Sequence, residues 1–80
     1  MAMLYFAALV DKLGHASEEV ELPAVVADVQ SLLSWLRERG GNWERALRTD
    51  AVRVTVNKQF ALPQTTIDNT SEIALVSAHP

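Results

Sequence analysis

SEIALVSAHP, residues 71–80, is the stretch whose reading decides the fold. Ile73, Ala74, Leu75 and Val76 form a short apolar run behind a polar turn, Asp68-Asn69-Thr70-Ser71. That pattern predicts a buried strand over Glu72 to Ser77. A strand so near the last residue delivers the carboxyl terminus to the surface with almost no tail. A buried strand also needs neighbours, and two candidates stand out. Val52-Arg53-Val54-Thr55-Val56 is β-branched and alternating, and Met1 to Phe6 is an apolar run able to open a strand.

Between these strands the pattern changes period. Leu9, Val10 and Leu13 have helical spacing within Ala7–Leu13, and Gly14 is a natural stop. Glu19-Val20-Glu21-Leu22 alternates charged and apolar residues, so a strand returning beside the first is expected there. Pro23 opens the next element. Val26, Val29, Leu32, Leu33 and Leu36 then mark one face of an amphipathic helix. Asp28 near its start and Arg37 and Arg39 near its end match the helix dipole, and Gly40-Gly41 ends it. Asn42 is expected to cap a second short helical turn through Trp43, Glu44 and Leu47. Asn57-Lys58-Gln59 reads as a turn, with a very short strand within Phe60 to Leu62 before Pro63.

The order β, short α, β, long α, β, short β, β implies an α+β roll of the ubiquitin or β-grasp kind. Its expected core is a mixed sheet of four to five strands with one main helix across one face. A single helix covers only one face, so the other stays accessible.

Eighty residues make one domain, 1–80, with a small core. Apolar residues form 49% of the chain and charged ones 21%, an ordinary globular composition that argues against disorder. The longest apolar run is broken by Asp11 and Lys12, so no membrane span is expected, and the start lacks the basic region and cleavage site of a signal peptide. Absence of cysteine excludes disulfides and thiolate chemistry and fits a cytoplasmic domain. Net charge is −3, and Arg37, Arg39, Arg45 and Arg48 are interleaved with Glu38 and Glu44, which disfavours nucleic acid as a partner.

Residues suited to catalysis are scarce. His15 reads as a loop residue, and nothing brings it together with His79 into a zinc site. Glu18, Glu19 and Glu21 read as a solvated strand face. Asp68 and Glu72 lack the spacing of a calcium loop, and Gly40-Gly41 lacks the strand and Lys-Ser/Thr of a phosphate loop. Trp35 and Trp43 are expected to close the bottom of the core. Neither a catalytic residue nor a bound metal or cofactor is expected.

Taken in order, the elements resemble the small subunit of molybdopterin synthase, a ubiquitin-like sulfur carrier. Tyr5-Phe6-Ala7-Ala8-Leu9 through Lys12-Leu13-Gly14 is similar to that family's opening motif, and Val20-Glu21-Leu22-Pro23 to its second strand and lead into the long helix. Val54-Thr55-Val56-Asn57 resembles its Val-x-Val-Asn turn, and Ser71-Glu72-Ile73-Ala74-Leu75 its last strand. The resemblance covers nearly the whole chain.

What it implies is a non-catalytic carrier subunit within a sulfur-transferring complex of molybdenum cofactor biosynthesis. An adenylating partner uses ATP to activate the terminal carboxylate, since a carboxylate is a poor electrophile until it carries a leaving group. Sulfur then replaces oxygen, and the thiocarboxylate enters the active site of the large synthase subunit. Phe6, Phe60 and Val76 fall where the family presents apolar side chains to both partners; buried core positions are the competing expectation for Phe6 and Val76. The tail Ala78-His79-Pro80 stands where the family leads into Gly-Gly, and those two glycines are missing after Pro80. Proline fixes φ and has no N–H, so it is a poor substitute for a threading glycine. A chain ending at Pro80 is therefore expected to carry sulfur poorly. The alternative is a diverged β-grasp binding module that docks a partner without sulfur transfer.

Overall fold

Residues 1–48 and 51–77 are described by the computed structural model. Five strands and three helices follow one another as β1 (Ala2–Phe6), α1 (Ala8–Leu13), β2 (Ser17–Glu19), α2 (Val29–Arg37), α3 (Asn42–Ala46), β3 (Val52–Val56), β4 (Gln59–Phe60) and β5 (Glu72–Ser77). The strands form one mixed sheet in the order β2-β1-β5-β3-β4. The last strand lies at its centre, parallel to β1 and antiparallel to β3. This is the α+β roll expected from the alternation of strand and helix patterns.

Period-two alternation sorts each central strand into two faces. Met3 and Tyr5 of β1, Ile73 and Leu75 of β5, and Val52 and Val54 of β3 are buried. They pack in one core with Val29, Leu32, Leu33 and Leu36 of α2. Met3, Leu32, Leu36, Leu47, Ile73 and Leu75 are wholly out of water, each contributing about 1.5–3 kcal/mol of burial. In a chain this short, these few side chains supply much of the stability.

Three local readings are corrected. The second strand is Ser17–Glu19 rather than Glu19–Leu22: Ala2, Met3 and Leu4 pair with Glu19, Glu18 and Ser17. Val20 donates its N–H to the Met1 carbonyl, and its own carbonyl accepts the Met1 amino group, before the chain leaves the sheet. The apolar signal at Val20 and Leu22 comes from side chains packing after the strand has ended. The main helix likewise begins at Val29. Asp28 is its N-cap, accepting from the Ser31 N–H at 2.8 Å while the Ser31 hydroxyl receives the Asp28 N–H, a reciprocal capping box. Val26 keeps helical spacing but sits in the lead-in, where its N–H bonds the Pro23 carbonyl and its side chain reaches the core. Bonds from Val29 N to Thr65 O and from Ile67 N to Ala27 O, each 3.0 Å, fasten this start to the loop before β5. Finally, Asn42 is the first helical residue of α3, not its cap. Gly41 holds that place at φ 56°, and the Asn42 amide oxygen accepts from Arg45.

Left-handed backbone also closes the turns at Gly14 and at Asn57-Lys58. Gly14 ends α1 at φ 78° and bonds the Val10 carbonyl. Asn57 and Lys58, at φ 52° and 71°, make the two-residue hairpin loop between β3 and β4. The Asn57 side chain also accepts the Glu72 N–H at 2.9 Å, tying that hairpin to the start of β5.

Candidate functional site

The uncovered sheet face is built from the residues between the buried ones. Register aligns them into rows. Phe6, Val76 and Arg53 share one row across β1, β5 and β3. Leu4, Ala74, Thr55 and Phe60 share the next, across β1, β5, β3 and β4. With strands about 4.8 Å apart, the second row spans about 14 Å. Phe6 is 47% exposed and Phe60 81%, while Leu4, Ala74 and Val76 are half-buried. Phe6, Phe60 and Val76 therefore lie on one face, away from the helix-covered core. Leu4, Ala74 and Thr55 complete that face. Their signal was present in the sequence as the off-beat positions of each alternating strand.

This face adjoins the end of the last strand. Val76 pairs with Phe6 in the parallel ladder and with Arg53 in the antiparallel one, and Ser77 pairs with Val52. The chain thus leaves β5 between two strands, at the edge of the apolar rows. Ala78, His79 and Pro80, singled out in the sequence as the tail, lie outside the described residues.

Polar side chains gather at a different place. Glu18, expected on a solvated face, is half-buried and turned toward α2 and α3. It accepts both Nη1 and Nη2 of Arg39, at 3.1 and 3.0 Å, and the Tyr5 hydroxyl at 2.9 Å. The Arg39 guanidinium lies 4.3 Å from the centre of the Trp43 ring, and Trp43 meets Tyr5 edge-to-face at 5.6 Å. Burial alone would raise the Glu18 carboxyl, but the hydrogen bonds from Arg39 and Tyr5 outweigh it and hold the group below the ordinary carboxylate range. Burial, reinforced by the Glu18 bond, pushes the Tyr5 phenol well up. The arrangement is a closed, satisfied network that locks β2 to the α2–α3 corner. Glu19 and Glu21 are exposed as expected.

The remaining candidates are structural. His15 is exposed in the loop after α1, its ring 6.1 Å from that of Trp43. Trp35 and Trp43 are partly buried against the core. Asp68 accepts the Thr70 N–H and hydroxyl within its own turn, and these bonds hold its carboxyl below the ordinary range. Among the described residues, no three His, Cys, Asp or Glu side chains come together as a metal site. No helix among them is long and apolar enough to cross a membrane.

Comparison with known proteins agrees with this architecture. A search of curated proteins finds no match. Among solved structures, a Pyrococcus furiosus protein described as a molybdopterin converting factor, subunit 1, superposes with a TM-score of 0.76 at 21% identity, over 95% of this chain and 93% of that one. At that identity the likeness speaks for the fold, a ubiquitin-like β-grasp with a mixed five-strand sheet. The model of the ThiS family matches residues 3–79, and both findings agree with the resemblance drawn from the motifs. A match running from the first strand through the last makes this chain a member of the ThiS family.

Proposed function

We propose that this protein is a sulfur carrier that docks through the apolar rows of its open face and presents its carboxyl terminus to partner active sites. The observation that carries the reading is the pairing of Val76 with Phe6. It puts the departure point of the terminus beside the apolar residues that would seat a partner. In this reading Phe6, Phe60 and Val76 are the docking residues, with Leu4 and Ala74 filling the floor between them.

The chemistry belongs to the terminus and the partners. An adenylating enzyme attaches AMP from ATP to the terminal carboxylate, releasing pyrophosphate. Attack by hydrosulfide then expels AMP and leaves a thiocarboxylate. The large subunit of a molybdopterin synthase is the proposed acceptor complex, and the cytoplasm the proposed setting. The carrier itself needs only a rigid platform and a slender tail. Glycine suits such a tail because it has no Cβ to clash in a narrow channel. The reading therefore requires the mature chain to end in Gly-Gly beyond Pro80.

Intact mass of the protein isolated from its native cells tests this directly. The expected mass exceeds that of the 80 residues by two glycines, with a fraction carrying sulfur in place of one oxygen. A mature chain ending at Pro80 overturns the carrier role and leaves a docking module of the same fold.

A further inference from the structure

The second edge of the sheet is incompletely closed. β4 pairs with β3 only at Thr55 and Val56, and one further bond runs from the Ala61 N–H to the Val54 carbonyl at 3.0 Å. Beyond that point the chain turns toward α2, where the Pro63 carbonyl accepts the Gln30 N–H. The Asn57 N–H bonds Glu72 in β5, so by alternation Arg53 and Thr55 direct their backbone groups toward β5. Val52, Val54 and Val56 direct theirs outward. The Val52 N–H and C=O thus face an edge with no strand beside them among the described residues.

Next to that edge lies a groove of about 210 Å³, lined chiefly by Val29, Leu33, Val52, Val54, Ala61 and Pro63. Arg53 stands at its rim with its side chain exposed on the open face. Among the described residues no ion pair holds Arg53, and no carboxylate shares its row with Val76 and Phe6. An unpaired strand edge, an apolar slot and a lone cation lie within two residues of one another.

We infer that the β3 edge binds a short extended segment of a partner protein by strand addition, with an apolar side chain in the groove and a neighbouring carboxylate opposite Arg53. The added strand places successive side chains on opposite faces. The residue opposite Val52 enters the groove, and the next in sequence meets Arg53. A second copy of this chain is the poorer occupant. Antiparallel pairing of two β3 edges sets Arg53 opposite or diagonal to its own symmetry mate, and like charges so placed repel. An acidic partner strand turns the same position into an attraction. This surface borders the docking rows, since Phe60 also lines the groove and Arg53 shares a row with Phe6 and Val76, but strand addition does not depend on the carrier reading.

The test is a solution NMR titration of the full chain with the peptide acetyl-Ser-Thr-Ile-Glu-Thr-Ser-amide and its Glu-to-Lys counterpart. Amide shifts concentrated at Val52, Arg53, Val54 and Ala61 are expected, with the Lys peptide binding roughly two- to five-fold more weakly. Arg53→Glu should reverse that order, and Arg53→Gln should abolish the preference; dispersed spectra verify that each variant folds. Unchanged preference in Arg53→Glu, shifts centred on Leu4 and Phe6, or no shift at millimolar peptide would each overturn the proposal. Dilution-dependent shifts at Val52 without peptide would assign the edge to self-association instead.

Discussion

Glu18 departs furthest from what its sequence neighbours suggest. Set among Glu19 and Glu21, it reads as one more solvated acid, yet its carboxylate holds Arg39 and the Tyr5 hydroxyl. Neither partner is near in sequence, so nothing local announces the contact. The folded carboxyl titrates below its ordinary value of 4.5, so the folded state binds this proton more weakly than the unfolded chain. Stability from Glu18 is therefore complete above that value and is lost as pH falls through the lower, folded one. Glu18→Gln should cost about 1 kcal/mol at pH 7, and thermal melts across pH should show the gap to wild type closing in acid, as the wild-type carboxylate is protonated. Phe60 presents the opposite case. At 81% exposure it gives the core little, so Phe60→Asp should lower the unfolding free energy from urea melts by less than about 0.5 kcal/mol while weakening capture of the proposed large-subunit partner. A large loss of stability would remove Phe60 from the docking face. Its exposure was legible because it stands just after the polar turn read at Asn57-Lys58-Gln59; that of Phe6 was not, because an apolar run at the start of the sequence suits core and surface equally.

Among the elements, β1, β3 and β5 were readable nearly to their ends because branched and aromatic residues alternate between two environments. β2 was not, since Ser17, Glu18 and Glu19 carry no apolar mark and its register is set by the backbone of β1. The start of α2 shows a second limit of periodicity. Val26 satisfies the helical spacing from a turn, and what decides the boundary is the capping box of Asp28 and Ser31. Hydrogen bonds from Ser31 hold the Asp28 carboxyl below its ordinary range. Asp28→Ala should lower the melting temperature at neutral pH, and that deficit should shrink in acid as the wild-type carboxylate is protonated. Asp28→Ser, which retains an accepting oxygen, should recover most of the loss. If serine melts with alanine, the cap is not what holds the helix start.

At the scale of the molecule, the sheet order matters more than any single contact. β5 fills the gap between β1 and β3, and its Ile73 and Leu75 are wholly buried there. A fragment of residues 1–71 should therefore show neither a cooperative urea transition nor strand signal by circular dichroism. Partial folding would mean that β1, β2 and α2 form a unit without their central strand. The central position also orders events in time. A ribosome has to make β5 before the sheet can close, so the domain folds only after that strand has been made, through contacts between its first and last strands. An interrupted or clipped product has no closed sheet in which to hold β5 beside Phe6. Partners that recognise this fold thereby meet only chains in which translation has passed through β5.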